Sequence, residues 1–160
     1  MKKIILFAIC TLFTVNLNAQ TNTDEIALIQ SAYGMEKKQI IIQFMKLTEA
    51  ENAGFWKIYD EYEAERKELG KKRANNLIEY ANNYGKLTDA KATELINSSI
   101  DVQISLSKLM KKTYAKLSKV MSPVRAAQFI QLENYLETMV RMEISDDIPL
   151  IGELEAAEKK

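Results

Sequence analysis

Three short phrases constrain this chain more than anything else in it. LTEA occupies Leu47–Ala50, LTDA occupies Leu87–Ala90, and MSPV runs from Met121 to Val124. In each, a Thr or Ser stands where its side-chain oxygen can accept from the first free backbone N–H groups of a helix, which is the N-cap role. Three residues after Thr48, Glu51 is placed to reach back and complete a capping box. After Thr88, Asp89 puts negative charge in the first turn, where the helix dipole favours it. After Ser122, Pro123 takes the first helical position, where its missing N–H costs least. The phrases therefore mark three helix starts.

Between these starts almost nothing would stop a helix. The 160 residues include only five glycines and two prolines, and Glu, Lys, Ala, Leu, Gln and Met, all strong helix formers, dominate the rest. No stretch alternates as a half-buried strand would. The fold class is all-α, in four helices: Asp24–Lys46, with a bend or a fresh start at Gly34; Glu49–Tyr84; Asp89–Met121; and Pro123–Ile144. Only Gly85–Leu87 separates the second helix from the third, which predicts a long antiparallel hairpin. That pairing sets Phe55 against Leu117, Tyr62 against Met110 and Leu77 against Leu95. It also lays the acidic run Asp60–Glu65 beside Lys108, Lys111 and Lys112. A helix of thirty-odd residues is roughly 50 Å long, so the expected protomer is elongated.

The ends have a different character. Lys2 and Lys3 precede an apolar run, Ile4–Val15, and then polar NLNAQ. This is the pattern of an export signal cut after Ala19, too short for a membrane anchor. The expected organisation is a signal peptide over 1–19, one helical domain over 20–145, and a flexible tail over 146–160 interrupted by Pro149 and Gly152. Cleavage removes Cys10, so nothing is left to form a disulfide, and packing or oligomerisation must hold the fold. Removing Lys2 and Lys3 from 22 basic and 22 acidic residues leaves a slight acidic excess. Neither nucleic acid nor an inserted membrane position is expected as a partner.

Most chemistry is excluded by what the chain lacks. It has no histidine, hence neither the usual general base nor the commonest zinc and copper ligand. It has no glycine-rich phosphate loop, no nucleophile elbow and no EF-hand loop around Asp60/Glu61 or Asp146/Asp147. No catalytic residue, metal site or cofactor is predicted, and the protein should work through its surface rather than as an enzyme.

The surface reading starts at the far end of the hairpin. The first and fourth helices are expected to cover its base and leave roughly 67–102 bare. That stretch carries Leu77, Ile78, Tyr80, Tyr84, Leu87, Leu95, Ile96 and Ile100. So much apolar surface predicts a homodimer in which two hairpins cover each other. The candidate surface for clients or for the dimer is Tyr62, Leu77, Tyr80, Tyr84, Leu95, Met110 and Tyr114. Met side chains adapt to varied partners, and Tyr offers an apolar body with a wet tip.

The cap phrases also carry a resemblance. Leu47-Thr48-x-x-Glu51, Leu87-Thr88-x-x-Lys91 and Met121-Ser122-x-x-Arg125, in an exported all-α chain, are similar to the Leu-Thr-x-x-Gln signature of the Spy/CpxP family of periplasmic stress proteins. The signature glutamine is replaced in every copy. The resemblance implies a cradle-shaped antiparallel dimer that binds unfolded or misfolded envelope proteins without ATP. The alternative within the same fold is a regulatory module binding one specific envelope-stress signalling partner. A metal-responsive branch relies on histidine-bearing sites that this chain does not have. If Ile148, Leu150 and Ile151 lie over the client face as a lid, deleting residues 145–160 should tighten client capture.

Overall fold

A computed structural model describes residues 19–146 and 148–151. The expected export signal, apart from Ala19, and the tail beyond Ile151 lie outside the described residues. The chain divides into two units, Met1–Gln43 and Phe44–Lys160.

The fold is all-α. Helix α1 spans Ala19–Met45 and runs through Gly34 without the fresh start that was one of the two expectations there. It is stopped by Lys46, whose φ of 44° lies in the left-handed region, a post usually filled by glycine because a Cβ is strained there. Helix α2 spans Glu49–Asn83, 35 residues. A single 3-10 turn, Tyr84–Lys86, leads to α3, Asp89–Leu117. A turn over 118–120 then leads to α4, Pro123–Asp146. Among the described residues no helix is long and apolar enough to cross a membrane.

All three caps form as the sequence predicts. The hydroxyl oxygens of Thr48, Thr88 and Ser122 accept from the backbone N–H groups of Glu51, Lys91 and Arg125, each at 3.3 Å. At Thr48 the box closes, because the Thr48 N–H donates to Glu51 Oε2 at 3.0 Å.

Helices α2 and α3 form the antiparallel hairpin. From α3 the buried seam is Leu95, Val102, Leu106, Leu109, Thr113 and Leu117, the spacing of one helical face. From α2 it is Phe55, Tyr59, Tyr62 and Glu63. Full burial of a Leu, Val or Phe side chain contributes about 1.5–3 kcal/mol, so this seam holds the hairpin shut. The acidic strip does meet a basic one, through Lys112 to Glu65 at 2.6 Å and Lys116 to Glu61 at 2.5 Å. Lys112 is one of the three lysines expected there, and Lys116 joins the strip a turn further along α3. Being exposed, the pairs fix register more than they add stability. Nearer the tip, Asn76 Nδ2 donates to the Leu95 carbonyl at 3.1 Å.

The expectation of a bare far end is corrected on the α2 side, while Ile96 and Ile100 of α3 stay exposed. Helix α4 does not stop at the base of the hairpin. It runs beside α2, with Phe129 among Phe55, Tyr59 and Tyr62. Tyr62 Oη donates to Glu133 Oε2 at 2.6 Å, and Arg73 pairs with Glu137. Residues 148–151 continue this course to Tyr80 and Tyr84 at the tip. Helix α4 reaches Asp146, and its contacts with α2 come from large side chains spaced along it, Phe129, Glu133 and Glu137.

Candidate functional site

The base of Phe44–Lys160 is built where the first and third cap phrases meet. Arg125 is carried on the first turn of α4 by Ser122, and Glu51 on the first turn of α2 by Thr48. Arg125 Nε and Nη2 donate to Glu51 Oε1 and Oε2, both at 3.1 Å, in the two-pronged geometry that suits guanidinium and carboxylate. Nη2 also donates to the Met45 carbonyl at 2.7 Å, closing the end of α1, and Nη1 donates to Gln128 Oε1 at 3.1 Å. The Arg125 bonds, with help from the Thr48 N–H, hold the Glu51 carboxyl down from an ordinary 4.5 to about 2. Leu47, Leu87 and Met121 flank these caps on the apolar side, with Met121 buried and the leucines half-buried. This junction is structural. Its side chains are committed to one another and offer nothing to a ligand.

Above it lies an aromatic knot. Phe129, fully buried, meets Phe55 edge-on at 5.2 Å and Tyr62 at 5.8 Å between ring centroids. Burial, reinforced by the negative charge of Glu133, pushes the Tyr62 phenol far above its usual range, so it stays a donor.

The sequence-derived surface residues therefore separate into three sets. Tyr62 and Leu95 are buried inside the protomer. Leu77 and Met110 are half-buried beside the seam. Tyr80, Tyr84 and Tyr114 remain within reach of solvent, the first two turned to the tail and Tyr114 on the outer side of α3.

The structure adds a feature that this set missed. Ile96, Ile100 and Ile104 of α3 are 57, 45 and 45 % exposed. At four-residue spacing they form one stripe, roughly a third to a half turn round the helix from buried Leu95. Ile96 and Ile100 were expected to need cover; Ile104 completes the row. On α4, Tyr135, Met139 and Met142 make a second exposed apolar row. The signal for the α3 stripe was present, since apolar residues fall on both faces of α3. Periodicity finds the seam first, and the remainder reads as noise until the seam has been placed.

The concavities on this surface are shallow and open rather than enclosed. One lies between α2 and α3 at Glu65, Lys72, Lys108 and Lys112. Another runs along α3 at Gln103, Ile104, Ser107 and Lys111, continuing the isoleucine stripe. Among the described residues no group of three or more Asp or Glu side chains is gathered as a metal ion would need. A surface of this kind suits contact with another polypeptide, whose apolar side chains can lie along the stripe between lysines. Comparison of the chain with protein-family models, with characterised proteins and with solved structures finds no match.

Proposed function

We propose that this protein is an exported, nucleotide-independent binder of unfolded or misfolded envelope proteins, of the Spy/CpxP kind, acting as a homodimer. The observation that carries the reading is the exposed isoleucine stripe on α3. A β-branched residue is a poorer helix former than Ala or Lys, so three of them at solvent positions weaken the helix they stand on. Contact with a partner gives them a use. Their flat apolar row, flanked by Gln103, Ser107 and Lys111, offers area without a shaped pocket, which favours many loosely matched partners over one. Part of the same row can serve as the face on which two copies meet, because contiguous apolar surface on a soluble protein marks an interaction site.

The test uses two unrelated unfolded clients, no nucleotide, and the chain from Gln20 onward, with its oligomeric state read by light scattering on the same sample. Suppression of aggregation of both clients at near-stoichiometric protein is the expected result. Replacing Ile96, Ile100 and Ile104 together with Asp should abolish it while leaving helicity intact. Equal protection by that variant removes the reading, as does a folded parent that protects neither client. In the second case the dedicated signalling partner becomes the better account, and tight capture of one folded domain is its signature.

A further inference from the structure

The tip of the hairpin holds a second arrangement that the stripe does not explain. Tyr80 and Tyr84 stand four residues apart on α2, so they share a face. Their rings meet edge to face, with centroids 5.4 Å apart and planes at 90°. Each ring thus restrains the other, and the two hydroxyls are presented at separate heights. Tyr80 Oη donates to the Pro149 carbonyl at 2.9 Å, and Tyr84 Oη donates to the Leu150 carbonyl at 2.6 Å. Two adjacent peptide carbonyls are read by two adjacent phenols.

The manner of reading matters more than the contact. Leu150 and Ile151 are 76 and 70 % exposed, so these apolar side chains face solvent while the backbone is held. Only Ile148 is half-buried. Pro149 fixes its own φ, has no N–H, and biases Ile148 toward extended backbone. Residues 148–151 lie outside any helix, and the Pro149 and Leu150 carbonyls accept from the two phenols. We propose that Tyr80 and Tyr84 form a clamp that reads the backbone of a non-helical, proline-bearing peptide segment, and that residues 148–151 occupy it in the free protein as an internal stand-in for that ligand.

The clamp has a built-in preference. Carbonyls occur at every residue, so binding tolerates sequence. In folded proteins, however, nearly all buried carbonyls are already paired, whereas unfolded chains populate the extended left-handed conformation heavily. Two phenols that need two consecutive free carbonyls select unfolded chain over folded. The biological use of the clamp rests on the polypeptide-binding reading above. The tail sets its threshold, since an incoming segment must displace residues 148–151 first.

The experiment uses the full chain and a dye-labelled synthetic peptide with the sequence of residues 146–152, followed by fluorescence anisotropy. Ile148→Asp should expel the tail by burying a charge, and the chain carrying it should bind the peptide on the order of tenfold more tightly than the parent. Adding Tyr80→Phe and Tyr84→Phe should reverse that gain, also on the order of tenfold, because two hydrogen bonds are removed without loss of ring area. A peptide carrying Ala in place of Leu150 should bind as the original does. In the otherwise unaltered chain, the carbonyl 13C shifts of Pro149 and Leu150 should move on Tyr80→Phe and Tyr84→Phe respectively, a readout that needs no peptide. Peptide binding indifferent to both phenylalanines, or unmoved carbonyl shifts, overturns the clamp. Client protection that survives loss of both hydroxyls leaves the holdase reading and retires the clamp. Peptide binding without protection of any client does the reverse.

Discussion

Phe129→Ala should be among the most damaging single changes available in Phe44–Lys160. The side chain is fully buried and is met edge-on by Phe55, Tyr59 and Tyr62, with centroids at 5.2, 6.1 and 5.8 Å. Truncating a buried Phe removes its transfer free energy and leaves a cavity, together about 3–5 kcal/mol. The value should fall in the upper half of that range, because edge-to-face ring pairs add about 0.5–1.5 kcal/mol beyond area. For a domain of this size each kcal/mol lowers the midpoint by roughly 3–4 °C, so a fall of about 12–20 °C is expected by circular dichroism. Guanidinium unfolding should give the same loss with an unchanged slope. Phe55→Ala should couple to it by about 0.5–3 kcal/mol in a double-mutant cycle, since the rings touch. Val124→Ala, one turn earlier on α4 and exposed, is the control and should stay within about 0.5 kcal/mol. A loss below about 1 kcal/mol for Phe129→Ala, or strict additivity with Phe55→Ala, would refute the knot as the node joining α2 to α4.

Four further outcomes follow from the same structure. Glu51 titrates at about 2 against an ordinary 4.5; its contribution is full above 4.5 and is lost as pH falls from there through 2, so Glu51→Gln should flatten that limb of the stability–pH curve. Parallel curves for parent and variant would count against the Arg125 contact. The double variant Glu51→Gln with Arg125→Gln should be more stable than the sum of the two single losses predicts, because each single change strands a half-buried charge; additive losses in urea unfolding would argue against coupling. A methyl at Gly54 would lie 3.1 and 3.2 Å from Val120 Cβ and Cγ1, so Gly54→Ala should approach its gain of about 1 kcal/mol of helix propensity only when combined with Val120→Gly, which removes both atoms, and equal gains in both backgrounds would refute the steric account. Lys46→Gly should raise stability by up to about 1 kcal/mol, because glycine adopts the left-handed conformation at φ 44° without the Cβ penalty; a loss on chemical denaturation would show that the Lys46 side chain matters more than its backbone.

The helices were legible because their signals are local. Thr48, Thr88 and Ser122 act on N–H groups within four residues, and the scarcity of Gly and Pro leaves little else for the chain to do. The hairpin followed from the short link at Gly85–Leu87, and its seam from the spacing of Leu95, Val102, Leu106 and Leu109. Legibility ended where contact depends on distance along the chain. Glu51 and Arg125 were both picked out as cap positions, yet nothing in either phrase says that they meet. Tyr62 and Leu95 were assigned to the surface because an apolar residue on a helix does not declare which neighbour it will face. Lys46 hides its left-handed backbone, which Gly or Asn would have advertised. The course of α4 along α2 was missed for a related reason: charge pairs such as Arg73 with Glu137 can be recognised only after the elements have been placed.

That course changes the argument for a second copy. A wholly bare hairpin tip required another chain to cover it; residues 148–151 reach Tyr80 and Tyr84, while Ile96 and Ile100 stay exposed. Cover is supplied there by two phenolic hydrogen bonds on backbone carbonyls, with Leu150 and Ile151 left in solvent, and this is a weak kind of cover. Each such bond is worth about 0.5–1.5 kcal/mol net, far less than burying the two side chains would give. A segment meant only to seal apolar surface would turn Leu150 and Ile151 inward. One held by its backbone, with its apolar side chains exposed, is one that the proposed clamp can release. The unsatisfied apolar area has therefore shifted from the tip as a whole to the isoleucine row on α3, and the pressure for a partner, whether a client or a second copy, now falls on Ile96, Ile100 and Ile104.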